Sequence, residues 1–400
     1  MTDTLNLLPT ERDHPLDPPP AVLALHTDEG PVSPLDFPNG RRGWLVTGFD
    51  EVRAGLIDPR LSAVGRFELN PVRKLDLSEE ELENLRRPSL LTTDPPEHTR
   101  LRRMLTGLFT VRRMRALTPR IEQIVADHLD AMAATDGPVD LVSALAMPVP
   151  SLVICELLGV PYADRALFQG LTSTLLRLDS TGEQVTAAGE GLREYMSGLV
   201  RAKRTTPDDG LLSELLDAED TLTDLEAAGT GLLLLIAGHE TTANMIGLGT
   251  FTLLSQPERW AELREHPELV EQAVEELLRY LTIVHFGLPR TAVEPLTIGG
   301  RDIAAGEPVL LHLSAANRDP AQFDGPEFLD FHRESVRHIA FGYGVHQCLG
   351  QQLARNEMAV VFRRLIERFP GLRLAVPAEE VPMRTDMAIY GVHRLPVLVR

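Results

Sequence analysis

The longest apolar pattern in the chain runs from Thr223 to Ser255 and predicts one very long helix. Thr223 and Glu226 have the spacing of a capping box at its start, and Pro257 follows its end. At about 1.5 Å per residue such a helix is about 48 Å long, so it must cross the whole molecule. Glu240 in its middle and the charged flanks exclude a membrane span. The fold must therefore be assembled around this helix.

The centre of the predicted helix combines an acid with a hydroxyl group. Glu240 and Thr241 follow Gly238 within an otherwise apolar sequence. Burying such a pair is costly, which indicates that the pair has a task. Thr241 can donate a hydrogen bond to the carbonyl group four residues earlier, and beside a glycine this predicts a local opening of the helix. A purely structural threonine at a helix kink is the alternative interpretation.

A second chemical centre surrounds Cys348, one of two cysteines in the chain. Gly342 and Gly344 precede it, Gly350 follows it, and an apolar helical pattern begins directly afterwards. Unpaired N–H groups at a helix start favour a thiolate, which can act as a nucleophile or as a metal ligand. The glycines allow a flat group to approach the backbone closely. A small buried core residue is the alternative interpretation, and it is the one that we favour for Cys155.

A third candidate segment begins at Asp94, which we predict to cap a helix with Pro95 at its first position. His98 and Arg102 are four residues apart in that helix and share one face. Two donors on one face can hold an anion. A solvated basic face is the alternative interpretation.

Composition limits the function classes. The net charge of −19 argues against a nucleic-acid or anionic-membrane binder. Two distant cysteines give no disulfide framework, and residues 1–20 lack the basic start and apolar centre of a signal peptide. We therefore expect a soluble, cytoplasmic protein. With no internal repeat and no low-complexity linker, we expect a single domain over residues 1–400.

The remaining patterns are mostly helical, notably over residues 120–220. Strands are predicted at Leu296–Ile298 and Val309–Leu313, with Gly299-Gly300 as a hairpin turn. Residues 60–90 mix charges with sparse apolar positions, and we interpret them as a long loop with a helical turn near 79–85.

The cysteine loop resembles the haem-binding loop of the cytochrome P450 monooxygenases, on the residues Phe341, Gly342, Gly344, His346, Cys348 and Gly350. The resemblance implies that the Cys348 thiolate binds the iron of haem b. It also implies the cytochrome P450 fold: mainly α with a small β-rich lobe, the haem lying between the long central helix and the helix after Cys348. The β-rich parts are expected near 40–60, 290–315 and 385–400.

Other residues take their expected roles from the same resemblance. Ala237-Gly238-x-Glu240-Thr241 is similar to the family's oxygen-activation motif, in which Glu240 feeds protons inward and Thr241 donates a hydrogen bond to dioxygen. The family's propionate donors correspond to His98, Arg102, Arg290 and His346. Glu276, Arg279 and Arg333 correspond to a buried network that holds the fold. The expected substrate wall consists of Ala237, Ile283, Val284, Leu288 and Ile389.

The implied reaction inserts one oxygen atom from dioxygen into an apolar small molecule, such as a macrolide, a statin-like polyketide or a steroid-like compound. The sequence has no dinucleotide-binding glycine pattern and no iron–sulfur cysteine set, so electrons must come from separate carriers, a ferredoxin and an NAD(P)H-dependent ferredoxin reductase. A basic patch is a candidate docking face for them; its members are Arg100, Arg103, Arg112, Arg113, Arg115 and Arg120. We expect a monomer.

Two other classes remain open at this point. A haem-thiolate peroxygenase or nitric oxide reductase would share the cysteine loop, although Glu240 and Thr241 disfavour it. A hydrolase with Cys348 as nucleophile would need a histidine as its base. His346 is the obvious candidate, but it lies two residues away on a tight glycine loop and is better placed to donate to a carboxylate.

Overall fold

The computed structural model of the chain describes residues 6–74, 77–78, 81, 89–217, 222–334 and 336–400. Apart from residue 81, the helical turn predicted near 79–85 lies outside these ranges. The α-helices are α1 (Pro20–Glu29), α2 (Phe49–Ile57), α3 (Glu97–Thr106), α4 (Val111–Ala116), α5 (Thr118–Ala133), α6 (Pro148–Leu158), α7 (Arg165–Leu176), α8 (Gly182–Thr205), α9 (Leu211–Asp217), α10 (Asp224–Ser255), α11 (Pro257–Glu265), α12 (Val270–Leu281), α13 (Leu313–Ala316) and α14 (Gln351–Arg368).

Short strands form small sheets beside these helices. They are β1 (Val32–Asp36), β2 (Arg42–Val46), β3 (Leu61–Ser62), β4 (Val139–Asp140), β5 (Leu288–Ala292), β6 (Leu296–Ile298), β7 (Arg301–Ile303), β8 (Pro308–Leu311), β9 (Arg373–Leu374) and β10 (Pro396–Leu398). One sheet has the order β1-β2-β8-β5-β3, in which only the β2–β8 pair is parallel. A second has the order β4-β10-β9, and β6 and β7 form a hairpin. The mainly α architecture with a β-rich lobe is thus confirmed.

The long central helix is present with the predicted bounds. The Thr223 side chain accepts a hydrogen bond from the Glu226 N–H, and the Glu226 side chain accepts one from the Thr223 N–H, which completes the capping box. The helix α10 packs against α6, α8 and α14. Its residues from Thr242 to Leu254 are all buried. Within the described residues, no helix combines the length and apolarity needed to cross a bilayer.

Two local predictions differ from the structure. Asp94 does not cap a helix, because α3 begins at Glu97 and the Asp94 carboxylate instead accepts hydrogen bonds from the Ser62 hydroxyl and, at 2.9 Å, from the Ala63 N–H. The helix α10 is continuous through Gly238, so the predicted local opening is absent from it. The Gly299-Gly300 turn is confirmed, and both glycines have positive φ, 53° and 76°. It joins β6 to β7, whereas the strand predicted near Val309 is β8, which pairs with β2 and β5.

The last part of the chain folds back onto its first part. The Tyr390 hydroxyl donates a hydrogen bond of 2.8 Å to the carbonyl of Pro15. The Arg12 guanidinium lies 4.2 Å from the centre of the Tyr390 ring. Arg318 donates to the carbonyl of Leu16 at 3.1 Å. These contacts close one side of the molecule beside the segment that carries Ile389.

Candidate active site

The cysteine loop is held by backbone hydrogen bonds and two glycines with positive φ. The Cys348 N–H donates to the carbonyl of Phe341 at 2.8 Å. Gly342 has a φ of 69° and Gly344 a φ of 74°, values that L side chains rarely adopt. A Cβ atom at Gly344 would also lie 2.8 Å from the Ile57 side chain. The loop conformation therefore requires glycine at both positions, and it ends directly before α14.

Burial raises the pKa of the Cys348 thiol and outweighs the opposing influences on it. The N–H groups of Gly350 and Gln351 and the charges of Arg102 and Arg355 lower this pKa, but by less. The N–H groups at the helix start thus favour a thiolate, as expected, but burial outweighs them. A metal ion at the sulfur would reverse the balance, because metals deprotonate a coordinating thiol.

A polar network that the sequence analysis missed lies beside the loop. Arg355 packs its guanidinium 4.6 Å from the centre of the Phe341 ring and donates to Glu275 at 2.5 Å. His338 contacts the same carboxylate at 3.2 Å. Burial alone would raise the pKa of Glu275, but the hydrogen bonds from His338 and Arg355 bring it to about 2. The ring of Phe341 is thus fixed by a charged partner one turn into α14.

The proposed anion donors form one cluster of buried and partly buried arginine and histidine side chains. The rings of His98 and His346 lie 4.2 Å apart, centre to centre. Burial has the largest effect on the pKa of His346, and the charges of Arg290 and Arg66 lower it further; together these effects bring this pKa to about 4. Burial brings the pKa of Arg290 to about 10 and, together with the charge of Arg290, that of Arg66 to about 9. Arg102 lies close enough to Cys348 to lower its pKa. Sequence reasoning missed Arg66.

The donor atoms of this cluster fit an anionic cofactor. Three buried atoms have no hydrogen-bond partner in the part of the chain that the structure describes: His98 Nε2, Arg290 Nη2 and His346 Nδ1. Asp94 is a carboxylate that acts on Arg290 and His346, yet its oxygens already accept hydrogen bonds from Ser62 and Ala63. Buried polar atoms without partners are rare in folded proteins. Carboxylates such as the propionates of haem b would satisfy all three.

Glu240 lies on the buried side of α10 and is engaged by side chains. Arg384, from the segment before β10, donates a hydrogen bond to its carboxylate. Asn244 donates to its main-chain carbonyl at 2.7 Å and to its carboxylate at 3.3 Å. His239 Nε2 lies 4.0 Å from the carboxylate. Sequence reasoning missed both Arg384 and Asn244.

Thr241 lies on a different side of α10, where the helix has accessible surface. Its hydroxyl donates to the carbonyl of Ala237 at 2.6 Å, the predicted i−4 hydrogen bond. Ala237 is exposed, and Leu233 and Thr241 are partly exposed. These three residues are spaced by four, so they form one face of the helix. We call Leu233, Ala237 and Thr241 the open face of α10.

The other expected substrate-wall residues differ in exposure. Ile283 is buried, and its carbonyl accepts a hydrogen bond of 2.9 Å from the Tyr390 N–H. Val284, Leu288 and Ile389 are partly exposed. Ile283 and Ile389 are thus brought together by the Tyr390 contact.

The structure also brings together the residues of the expected buried network, which are Glu276, Arg279 and Arg333. Arg279 donates to the Glu276 carboxylate at 2.7 and 2.8 Å, and both side chains are fully buried. Arg279 also donates to the carbonyls of Asn317, Pro326 and Phe328 at 2.9–3.0 Å. Arg333 reaches Glu276 at 3.4 Å.

Comparison with known proteins agrees with this geometry. The family model for cytochrome P450 matches residues 78–396. The chain is 51% identical to cytochrome P450-SU2 of Streptomyces griseolus, over 96% of this chain and 94% of that protein. It is 47% identical to pentalenic acid synthase of Streptomyces avermitilis, over 97% and 96%. The crystal structure of CYP105P1 in complex with filipin I superposes with a TM-score of 0.90 at 45% identity, covering 98% of each chain. The chain therefore belongs to the cytochrome P450 family and is a monooxygenase with haem b as its cofactor.

Proposed function

We propose that this enzyme hydroxylates an apolar small molecule. One oxygen atom of dioxygen enters a C–H bond to give C–OH, and the other leaves as water. Two electrons and two protons are consumed. This sequence has no dinucleotide-binding glycine pattern and no iron–sulfur cysteine set. The electrons therefore come from a ferredoxin that is reduced by an NAD(P)H-dependent ferredoxin reductase.

The observation that carries the proposal is the open face of α10. Leu233, Ala237 and Thr241 are accessible although they lie in the helix that the rest of the chain packs around. Two of these side chains are apolar, and the third carries a hydroxyl group. This composition suits a pocket that binds an apolar molecule and places one hydrogen-bond donor beside it. Ile283 and Ile389 are then the candidates for the opposite wall.

The cluster of arginine and histidine donors gives the cofactor its place. Cys348 would bind the iron, and the propionates would be held by His98, Arg102, Arg290 and His346. The haem supplies the activation of dioxygen. Glu240 passes protons from the buried side of α10, and Thr241 donates a hydrogen bond on the open face. The pair Glu240 and Thr241 favours this reaction over peroxide use or nitric oxide reduction, which require no protons delivered to dioxygen.

The substrate class is proposed from the relatives. One relative is named for pentalenic acid, and one solved structure holds filipin I. We propose a secondary metabolite of similar size, a macrolide, statin-like polyketide or steroid-like compound. We further propose that residues 1–400 act as one unit, as a monomer in the cytoplasm.

The docking face proposed for the ferredoxin is smaller than the basic patch of the sequence. Within the described residues, ion pairs engage Arg100 with Glu97 and Glu226, Arg113 with Glu214, and Arg120 with Glu156. Arg103, Arg112 and Arg115 are exposed and have no ion pair among the described residues. These three remain available to an acidic partner.

Spectroscopy tests the cofactor, and product analysis tests the reaction. The reduced carbon monoxide complex of the purified protein should show the red-shifted Soret band of thiolate-ligated haem, and Cys348→Ala should lose it. A library of macrolides, polyketides and steroids, screened by the change in ferric spin state, identifies the substrate. Thr241→Ala should then divert NADPH electrons from product to hydrogen peroxide. Product that stays fully coupled to NADPH in this variant would refute the role of Thr241.

A further inference from the structure

One residue of the chain is held in a strained backbone conformation. Thr282 follows the last residue of α12 with a φ of 35° and a ψ of 75°. It is the one residue other than glycine with a positive φ in the part of the chain that the structure describes. A β-branched side chain in this region is a rare outlier, which persists only where its surroundings impose it. Outliers of this kind cluster at sites that bind ligands, so the contacts of Thr282 are informative.

Buried hydrogen bonds impose the conformation of Thr282. Its hydroxyl group donates to the carbonyls of Arg279 at 2.9 Å and of Leu278 at 3.2 Å. The same hydroxyl accepts a hydrogen bond of 2.8 Å from Asn317 Nδ2. Thr282 is 1% exposed and Asn317 is fully buried, so solvent does not compete for these groups. The hydroxyl therefore ties the strained residue both to the end of α12 and to Asn317.

The other end of the Asn317 side chain holds the segment that enters the cysteine loop. Asn317 Oδ1 accepts a hydrogen bond of 2.9 Å from the Ile339 N–H. The Ile339 carbonyl in turn accepts one of 2.8 Å from the Gly342 N–H. Asn317 is itself fixed, because its main-chain carbonyl accepts a hydrogen bond of 2.9 Å from Arg279. One planar amide group thus joins Thr282 to the start of the cysteine loop.

The expected substrate wall begins directly after the strained residue. The Ile283 carbonyl accepts a hydrogen bond of 2.9 Å from the Tyr390 N–H, which brings together Ile283 and Ile389. Because the φ of Thr282 sets the direction in which the chain leaves α12, a change in this angle would move Ile283. The strained conformation therefore determines where this part of the wall lies.

We propose that Thr282 is a positioning residue: its hydroxyl, held by Asn317, fixes the wall at Ile283 relative to the cysteine loop and so determines the size of the group that fits between the wall and the haem. The inference rests on the proposed function, because it assumes that haem is bound at Cys348 and that Ile283 forms part of the substrate wall. Loss of the hydroxyl releases the wall and leaves the Asn317 donor buried without an acceptor. A threonine that only ended α12 would instead affect ligands of every size alike.

Two azoles of different size test the position of the wall. Imidazole and clotrimazole offer the same kind of nitrogen to the iron, but only clotrimazole carries three aryl rings that can extend to the wall. Their dissociation constants are measured from the Soret shift of the haem-loaded protein. Thr282→Val has nearly the same shape without the hydroxyl. It should change the ratio of the two constants by at least about tenfold and the imidazole constant by less than about twofold, since one misplaced methylene group in an apolar pocket has an effect of this size.

Three further variants separate the hydroxyl from a general loss of packing. Thr282→Ser keeps the hydroxyl and should return the ratio to within about threefold of the wild-type value. Asn317→Leu removes the partner of the hydroxyl and should reproduce the effect of Thr282→Val, with no further change in the double variant. Thr250→Val is the matched control, because Thr250 is fully buried but its hydroxyl donates within its own helix, to the carbonyl of Ile246 at 2.8 Å. It should leave the ratio unchanged.

Hydrogen exchange tests the link from the wall to the cysteine loop without any turnover. In wild type saturated with either azole, clotrimazole should slow exchange of the Ile339 N–H by at least about threefold relative to imidazole, because it restrains the wall that Asn317 connects to this group. The β6–β7 hairpin is the reference segment, where exchange should be equal with the two azoles. In Thr282→Val the difference at Ile339 should disappear. If Thr282→Val does not bind haem, the wild-type difference alone decides, and its absence overturns the inference.

The outcomes distinguish failure of the inference from failure of the proposed function. If the purified protein lacks the thiolate spectrum, or if Ile283→Ala leaves the clotrimazole constant unchanged, the proposed pocket fails and the inference fails with it. If Ile283→Ala changes that constant but Thr282→Val affects both azoles equally or neither, only the inference fails. It also fails alone if Thr282→Ser does not restore the ratio.

Discussion

The buried network around Arg279 gives the sharpest prediction for stability. Arg279→Met removes the partner of a fully buried Glu276 and three hydrogen bonds to main-chain carbonyls. Breaking a buried ion pair costs about 3–5 kcal/mol, and each carbonyl left without a donor adds about 1 kcal/mol or more. The loss is limited because Glu276 retains the Asp330 N–H at 3.1 Å and Arg333 at 3.4 Å. We expect a loss of about 4–6 kcal/mol in the free energy of unfolding.

Urea unfolding of the haem-loaded protein, followed by circular dichroism, measures this loss. Arg333→Met is the matched variant: it touches the same carboxylate, but from the rim, and should cost less than about 2 kcal/mol. Replacing Glu276 and Arg279 together by methionine should recover part of the loss, because no charge is left unpaired. A loss below about 1 kcal/mol for Arg279→Met, or equal losses for Arg279→Met and Arg333→Met, would refute the reasoning.

Three further predictions concern charge. Burial raises the pKa of Glu357 well above its usual value. The folded state therefore keeps a proton that the unfolded state releases above about pH 4.5, so the free energy of unfolding falls as pH rises, by up to about 1.4 kcal/mol per pH unit. Glu357→Gln should remove this fall, as measured by urea unfolding. Arg112→Gln should slow reduction by ferredoxin in stopped flow at low salt, whereas the charge-neutral pair Arg113→Gln with Glu214→Gln should not. Arg290→Met should stabilise the haem-free protein in thermal unfolding, because it removes a buried charge whose Nη2 has no hydrogen-bond partner among the described residues. The same change should speed haem loss to apomyoglobin.

Local patterns predicted the elements that carry their own signals. The capping box and the apolar run defined α10 to its last residue, because both depend on neighbours along one helix. The glycines of the cysteine loop likewise predicted a backbone with positive φ, which Gly342 and Gly344 have. Asp94 shows the limit of such reasoning: its position suited a helix cap, but Ser62 and Ala63 donate to its oxygens instead. That competition is set by tertiary packing and leaves no local trace.

Partners that arrive from distant segments could not be predicted. Arg384 is 144 residues from Glu240 in the sequence, and no periodicity links them. Arg66 is likewise far from His346 in the sequence and reaches it only through the fold. The pKa of the Cys348 thiol shows the same limit: the helix start that lowers it is visible in the sequence, but the depth of burial that outweighs this effect is not.

The contact between Tyr390 and Pro15 joins positions 375 residues apart. During synthesis, Pro15 can contact Tyr390 only after almost the whole chain has left the ribosome. Contacts of such sequence separation slow folding, because the entropy of loop closure must be lost first. A product of premature termination just before residue 382 would contain α10 and Cys348 but neither Arg384 nor Ile389. Such a fragment would therefore contain the proposed iron ligand but lack both a residue of the expected substrate wall and the arginine partner of Glu240.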